Sequence, residues 1–274
     1  MQKPVTRPRY TGAARGGVRA LQVFRSMKNS KAVVTLAVDI GGTGLKMLCL
    51  DAEGKPLTER LRVPTPEPPT PARLLAALDQ LKERMPNFDR VSVGYPGVIK
   101  KGVVLTAVNL HPKWIGYPLQ GILEKRWKRP VRVANDAAVQ GLGAIQGRGI
   151  EMILTLGTGL GSCLFVDGHI CPLELAHHPW LKKTYEDYLG KRGIKKYGEK
   201  RWNKLLRKAV AQTQATFNWD QLYLGGGNTK LVTLQFRPNV TVVSNLDGLL
   251  GGVALWRDED WPVTGSRYPV ASSQ

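Results

Sequence analysis

The sequence predicts an α/β protein built from two related lobes with a ligand cleft between them. Three observations carry this reading. Short β-branched and apolar runs recur along the chain with helical stretches between them. Each run ends in a polar or glycine-rich turn, and in such folds sites lie at the carboxyl ends of strands. A strand–glycine turn–strand unit occurs twice, near 41–44 and near 157–161, as expected of two lobes that share a plan.

Taken in order, Val33–Val38 is a strand ending in Asp39. Gly41, Gly42, Thr43 and Gly44 turn the chain, and Lys46–Leu50 resumes the apolar character, so the pair reads as a hairpin. Prolines from Pro64 to Pro71 make a stiff loop. A helix over 72–84 places Leu74, Leu75, Leu78 and Leu81 on one face. Val91–Val93 is a buried strand ending in Gly94-Tyr95-Pro96-Gly97, and Val131–Val133 is another, ending in Asn135-Asp136. Ala137–Gln146 reads as helix. Met152–Leu156 and Ser162–Val166 flank the second glycine turn. Leu222–Leu224 leads to a third glycine cluster, Val240–Val243 is the last strand, and Gly248–Trp256 a closing helix.

The formal charge of +19 is local. Residues 1–31 carry eight Lys or Arg and no acid, while 182–208 carry eleven against Glu186, Asp187 and Glu199, so each stretch supplies +8. The first is rich in Arg, Gly and Pro and is expected to be a disordered basic tail. Met27, just before the first strand, fits a start site with the upstream residues an extension. The second stretch suits either a polyanionic partner or a solvated helix face. Its interleaved Tyr185, Tyr188, Tyr197 and Trp202 have helical spacing and read as core or interface. No apolar run nears the ~20 residues that span a bilayer, and no signal-peptide core follows the basic start. Cys49, Cys163 and Cys171 form no C-x-x-C pair, so neither zinc nor a disulfide framework is suggested. A cytoplasmic enzyme is expected.

Asp39-Ile40-Gly41-Gly42-Thr43-Gly44-Leu45-Lys46 can form an anion-binding nest, with Thr43 and Lys46 adding a hydroxyl and a charge. It is neither a P-loop nor a dinucleotide fingerprint, because a strand follows rather than a helix. The alternative is a plain hairpin turn. Thr155–Ser162, with Thr158 and Gly159 at its centre, repeats the pattern and suggests a clamp on phosphates from both lobes. Asp136 could accept a hydroxyl proton during phosphoryl transfer; on local pattern alone an N-cap is the stronger reading. Glu174 and His177, three apart, suit sugar hydroxyls or an ordinary polar loop. Asn109 and the turn Gly94–Gly97 could also reach a sugar. Gly225, Gly226 and Gly227 suit a nucleotide lying on backbone, or a loop needing positive φ.

This ordered set of motifs resembles the ROK (repressor–ORF–kinase) sugar kinases, and most closely their polyphosphate glucokinase and glucomannokinase branch. His177-His178-Pro179-Trp180, Thr184–Gly190 and Lys200-Arg201-Trp202-Asn203 are similar to that branch in particular. The resemblance covers about residues 33–257. It implies an actin-like (ribonuclease H-like) fold, with residues 32–134 and 248–262 in a small lobe and 135–247 in a large one. It implies phosphorylation of glucose, or mannose, at O6 from ATP, polyphosphate or both, with Mg²⁺ and as a homodimer. By position, Asp136 is the base, and Asn109, Asn135, Glu174 and His177 bind sugar. Gly41–Thr43 and Thr158–Gly159 hold phosphates. Ala176 stands where the family usually has Gly, and the family's cysteine-rich zinc motif is missing, so no zinc is expected. A sugar-sensing regulator or nucleic-acid binder on the same fold is the disfavoured alternative.

Overall fold

A computed structural model describes residues 33–243 and 247–257; for 247–250 it describes the backbone only. The expectations for residues 1–31 and for 258–262 lie outside the described residues. The described residues begin with three strands, β1 (Thr35–Ile40), β2 (Leu45–Leu50) and β3 (Leu61–Val63), paired antiparallel in sequence. Helix α1 (Pro71–Glu83) leads to β4 (Arg90–Tyr95), parallel to β1. A small hairpin of β5 (Ile99–Lys100) and β6 (Val103–Val104) and helix α2 (Leu119–Trp127) precede β7 (Val131–Asn135), parallel to β4. Helix α3 (Asp136–Leu142) then crosses to a second sheet.

That sheet opens with β8 (Ile150–Leu156), β9 (Leu160–Val166) and β10 (His169–Pro172), again antiparallel. A short hairpin of β11 (Pro179–Trp180) and β12 (Lys183–Thr184) leads into α4 (Tyr185–Leu189) and α5 (Lys191–Phe217). Strand β13 (Gln221–Gly225) runs parallel to β8, β14 (Val240–Val242) runs parallel to β13, and α6 (Asp247–Ala254) is the last helix among the described residues. The sheet orders, β3-β2-β1-β4-β7 and β10-β9-β8-β13-β14, match strand for strand. The two hairpins seen in the sequence therefore open two copies of one topology.

Burial explains the central strands. Thr35 to Val38 are buried without alternation, as in a strand covered on both faces. In α1, Pro71 sits in the first turn, where its missing N–H costs nothing. Leu74, Leu75, Leu78 and Leu81 are buried as expected, each contributing about 1.5–3 kcal/mol of burial. Helix α2 has only a thin apolar periodicity in the sequence: Leu119, Leu123 and Trp127 form a single buried stripe.

The helix expected over 137–146 stops at Leu142. A closing turn follows, in which Ala144 and Ile145 N–H donate to Gly141 O, and from Gln146 onward a competing partner takes the backbone N–H groups. The buried Glu151 carboxylate accepts from the backbone N–H of Gln146 (2.8 Å), Gly147 (2.7 Å) and Arg148 (3.2 Å) and from the Tyr223 hydroxyl (2.9 Å). Gly147 and Gly149 supply positive φ for the wrap.

The stretch 182–208 resolves into β12, α4 and most of α5. Its cations are all exposed, while Trp202, Leu205 and Leu206 are buried with Tyr185 and Tyr188 in the second core. Gly198, at φ 72° and ψ 159°, breaks α5 after its second turn.

The helices after the last strands are exchanged. Helix α3 follows β7 but lies on the second sheet, where Gly141 meets Phe165 and Ile153. Helix α6 follows β14 but lies on the first, where Gly252 meets Ala37 and Ser92. They cross at Gly251, where any side chain would fall on the Val139 carbonyl. The cleft opens at the carboxyl ends of β1, β4, β7, β8 and β13, beside this crossing. No helix among the described residues is long and apolar enough to cross a membrane.

Candidate active site

The β1–β2 turn is tight: Gly41 N–H donates to Gly44 O (3.0 Å), and the Thr65 hydroxyl donates to Gly41 O (2.5 Å). Asp39 and Lys46 are register partners on the hairpin, and their side chains pair at 2.6 Å. At 28% and 33% exposure the pair adds little stability, and Lys46 stays open to an incoming anion. Gly42 lies against Asn109, where a Cβ would be 3.3 Å from the Asn109 Cβ, so the glycine brings that amide to the cleft edge.

The β8–β9 turn is held from three directions. Gly157 N–H donates to Gly159 O (3.1 Å), the Asn228 amide donates to Gly157 O (2.7 Å), and Lys191 N–H donates to Thr158 O (3.1 Å). The basic face of α5 thus starts at this turn. Glu186 accepts from Leu160 N–H (3.2 Å). The capping box of Thr184 and Asp187 starts α4 and places Glu186 in its first turn.

Asp136 is not the cap of α3; Asn135 is. Its Oδ1 accepts from Ala137 N–H (2.9 Å) and Ala138 N–H (3.3 Å), and its amide donates to Gly97 O (3.1 Å). Asn135 therefore ties the Gly94–Gly97 turn to the helix. Asp136, the first helical residue, faces the cleft and accepts from Ala137 N–H (2.8 Å). Gly94 permits its backbone to lie close, since a Cβ there would be 3.4 Å from the Asp136 Cα. Burial at the cleft floor pushes the Asp136 carboxyl up to about 7, and the charges of Asp39 and Glu174 add to the rise. The Ala137 hydrogen bond and Lys46 oppose it. A carboxylate that titrates near neutrality is matched to proton transfer.

Glu174 and His177 lie on the loop after β10. Ser162 anchors that loop, donating to Leu173 O (3.1 Å) and accepting from Leu175 N–H (3.0 Å). Burial raises the Glu174 carboxyl, while His177 and the Ala176 N–H lower it and Glu186 raises it. His178 points to Pro179 O and Tyr185, away from the cleft.

One cleft of about 560 Å³ is lined by Asp39, Gly41, Gly42, Thr43, Lys46, Gly94, Pro96, Gly97, Asn109, Asn135, Asp136, Thr158, Gly159, Glu174, His177, Gly226 and Gly227. Its size suits a small polar ligand with a phosphate chain. Gly225 is the exception: it ends β13 against the Gln140 amide and does not line the cleft. Sequence reasoning missed the polar lining residues Arg60, Ser92, Gln140 and Glu186, while Thr155 belongs to the motif it singled out. The capping box could have singled out Glu186; nothing local marks the other three.

Among the described residues no three His, Cys, Asp or Glu side chains gather into a metal cluster. Mg²⁺ needs no such cluster, since one or two carboxylates and the phosphates of a ligand suffice. Asp39, facing the cleft, fits that requirement.

The ROK family model matches residues 35–172. The chain is 27% identical over 203 residues to the polyphosphate glucokinase of Mycobacterium leprae, a match covering 69% of this chain and 62% of that protein. The solved inorganic polyphosphate/ATP-glucomannokinase of Arthrobacter sp. strain KM superposes with a TM-score of 0.74 at 29% identity, over 83% of this chain and 98% of that one. A ROK family glucokinase from Streptomyces griseus, solved with glucose and AMPPNP, shares the fold with a TM-score of 0.64 at 22% identity, over 82% and 99%.

Proposed function

The chain belongs to the ROK family and has its actin-like two-lobe fold, and on that premise we propose that it is a glucokinase. It transfers a phosphoryl group from polyphosphate, ATP or both to O6 of glucose or a closely related hexose. The observation that carries this is Asp136, a cleft-floor carboxyl tuned to about 7 between two glycine turns. Similarity to proteins named polyphosphate glucokinase and polyphosphate/ATP-glucomannokinase supports the substrates.

In this reading Asn109, Glu174 and His177 hold the sugar hydroxyls, and Asn135 sets the position of the Gly94–Gly97 turn beside them. Asp136 accepts the O6 proton as the oxygen–phosphorus bond forms and the bond to the rest of the donor breaks. The products are the sugar phosphate and ADP, or a polyphosphate one unit shorter. Gly41–Thr43 and Thr158–Gly159 hold the donor phosphates, with Lys46 supplying charge. A Mg²⁺ arriving with the donor would neutralise phosphate charge, held by Asp39. Closure of the two lobes aligns the reactants and excludes water. A regulatory reading would leave the tuned Asp136 without use. Three free thiols fit a reducing cytoplasm, and a homodimer is the expected assembly.

The donor is decided by assaying glucose phosphorylation with ATP and with long-chain polyphosphate over a salt series. Polyphosphate activity that falls steeply with salt assigns the exposed cations of α5 to the donor. Activity with ATP alone makes them a solvated face. Activity with neither overturns the proposal.

A further inference from the structure

Helix α3 carries two polar side chains toward the cleft, Asp136 and Gln140, one turn apart on the same face. The Gln140 amide nitrogen is fully buried and has no hydrogen-bond partner. It is one of two such side-chain atoms among the described residues; the other, the Tyr95 hydroxyl, is in the first core and does not line the cleft. A buried donor left unpaired costs stability that an apolar residue here would not cost, so it points to an acceptor that comes and goes.

The surroundings identify where that acceptor arrives. The amide lies against Gly225, where a Cβ would sit 2.5 Å from Nε2 and 3.5 Å from the Val243 side chain. Glycine at 225 thus makes room for the amide. The next residues, Gly226 and Gly227, line the cleft. They are fixed to its phosphate end, because Gly226 packs on the Leu156 backbone and Asn228 bonds Gly157 O.

We propose that Gln140 is a donor-recognition residue, its amide donating to a phosphate oxygen of the donor where the donor crosses the Gly226–Gly227 turn. This rests on the kinase reading for the identity of the ligand. The shared chemistry is an anionic phosphate oxygen, carried by a nucleoside polyphosphate and by inorganic polyphosphate alike.

The test uses Gln140→Ala and Gln140→Glu in the full chain. Binding of ADP and of inorganic tripolyphosphate is measured by calorimetry without turnover, beside KM for each donor and for glucose. The expected result is a tenfold or greater loss of phosphate-probe affinity and rise in donor KM for alanine. The loss is larger for glutamate, whose carboxylate repels the oxygen it replaces a bond to. Glucose KM stays unchanged, and the thermal midpoint of the alanine variant is not lowered. A loss confined to ADP or to tripolyphosphate supports the residue's role and identifies the donor. Unchanged probe binding in both variants, or an equal loss of glucose affinity, overturns the inference. Wild-type protein that binds the probes in a Gln140-dependent way but phosphorylates no sugar would sink the kinase reading and leave this one standing.

Discussion

Replacing Asp136 by asparagine should cost turnover and raise stability, and the two effects have one origin. The carboxyl titrates at about 7 in the fold against 3.8 when free. The folded state therefore holds a proton that the unfolded chain gives up, and ionising it in the cleft opposes folding. The sign follows: the penalty is absent below pH 3.8, grows with pH, and is complete above about 7. Moving the carboxyl from 3.8 to about 7 converts to at most ~4 kcal/mol, and partial solvent access from the cleft lowers this toward ~2. Asparagine carries no such penalty, and its Oδ1 can still accept from Ala137 N–H. The variant should unfold roughly 5–10 °C higher than wild type at pH 8, with the difference vanishing near pH 4. Its turnover should fall by roughly 10²–10⁴-fold, the usual worth of a general base. In the wild type, kcat/KM for glucose should rise with pH through about 7, because the base must be ionised to accept the O6 proton. The measurements are initial rates of sugar phosphate formation and calorimetric melts across pH 4–8. Turnover within tenfold of wild type, or a stability gain that does not grow with pH, refutes the reasoning.

Three further outcomes are expected. Glu174→Gln should raise glucose KM tenfold or more while donor KM holds, because a hydrogen bond to a charged group contributes about 1.5–3 kcal/mol; initial rates with each substrate varied decide it. Glu151→Ala strands three backbone N–H groups and the Tyr223 hydroxyl, and should cost on the order of 3 kcal/mol, read from the urea midpoint. Gly251→Ala places a methyl on the Val139 carbonyl at the helix crossing; it should cost about 1–3 kcal/mol, and a melting temperature unchanged from wild type would show that the crossing can spread.

Much of the fold was legible because its signals are local. Val33–Val38 and Lys46–Leu50 are apolar runs around a glycine turn, so the hairpin needs no distant partner to be recognised. The leucines of α1 repeat with the helical period, and their burial follows from that repeat. The candidate site was legible for the same reason, as each motif sits where a strand gives way to a turn. Where the reading failed, a side-chain hydrogen bond that no apolar pattern shows was in control. The helix after Asp136 does not run on through 146 because Glu151 takes the N–H groups of Gln146, Gly147 and Arg148. Asn135 rather than Asp136 caps it, a choice between neighbours that composition does not decide.

By itself, the sequence determined the α/β class, the two hairpin-led halves and the residue types that could handle a sugar and a phosphate chain. The tertiary structure decided which of them share a space. It set Asp39, Lys46 and Glu174 around Asp136, and that neighbourhood, with burial, moves the carboxyl to neutrality. It turned Gly225 away from the cleft and brought in Arg60, Ser92, Gln140 and Glu186, which no motif joins. A motif is a property of neighbours along the chain, whereas charge coupling, desolvation and an orphaned amide depend on neighbours in space. Those are set only when the exchanged helices α3 and α6 bring the two sheets together.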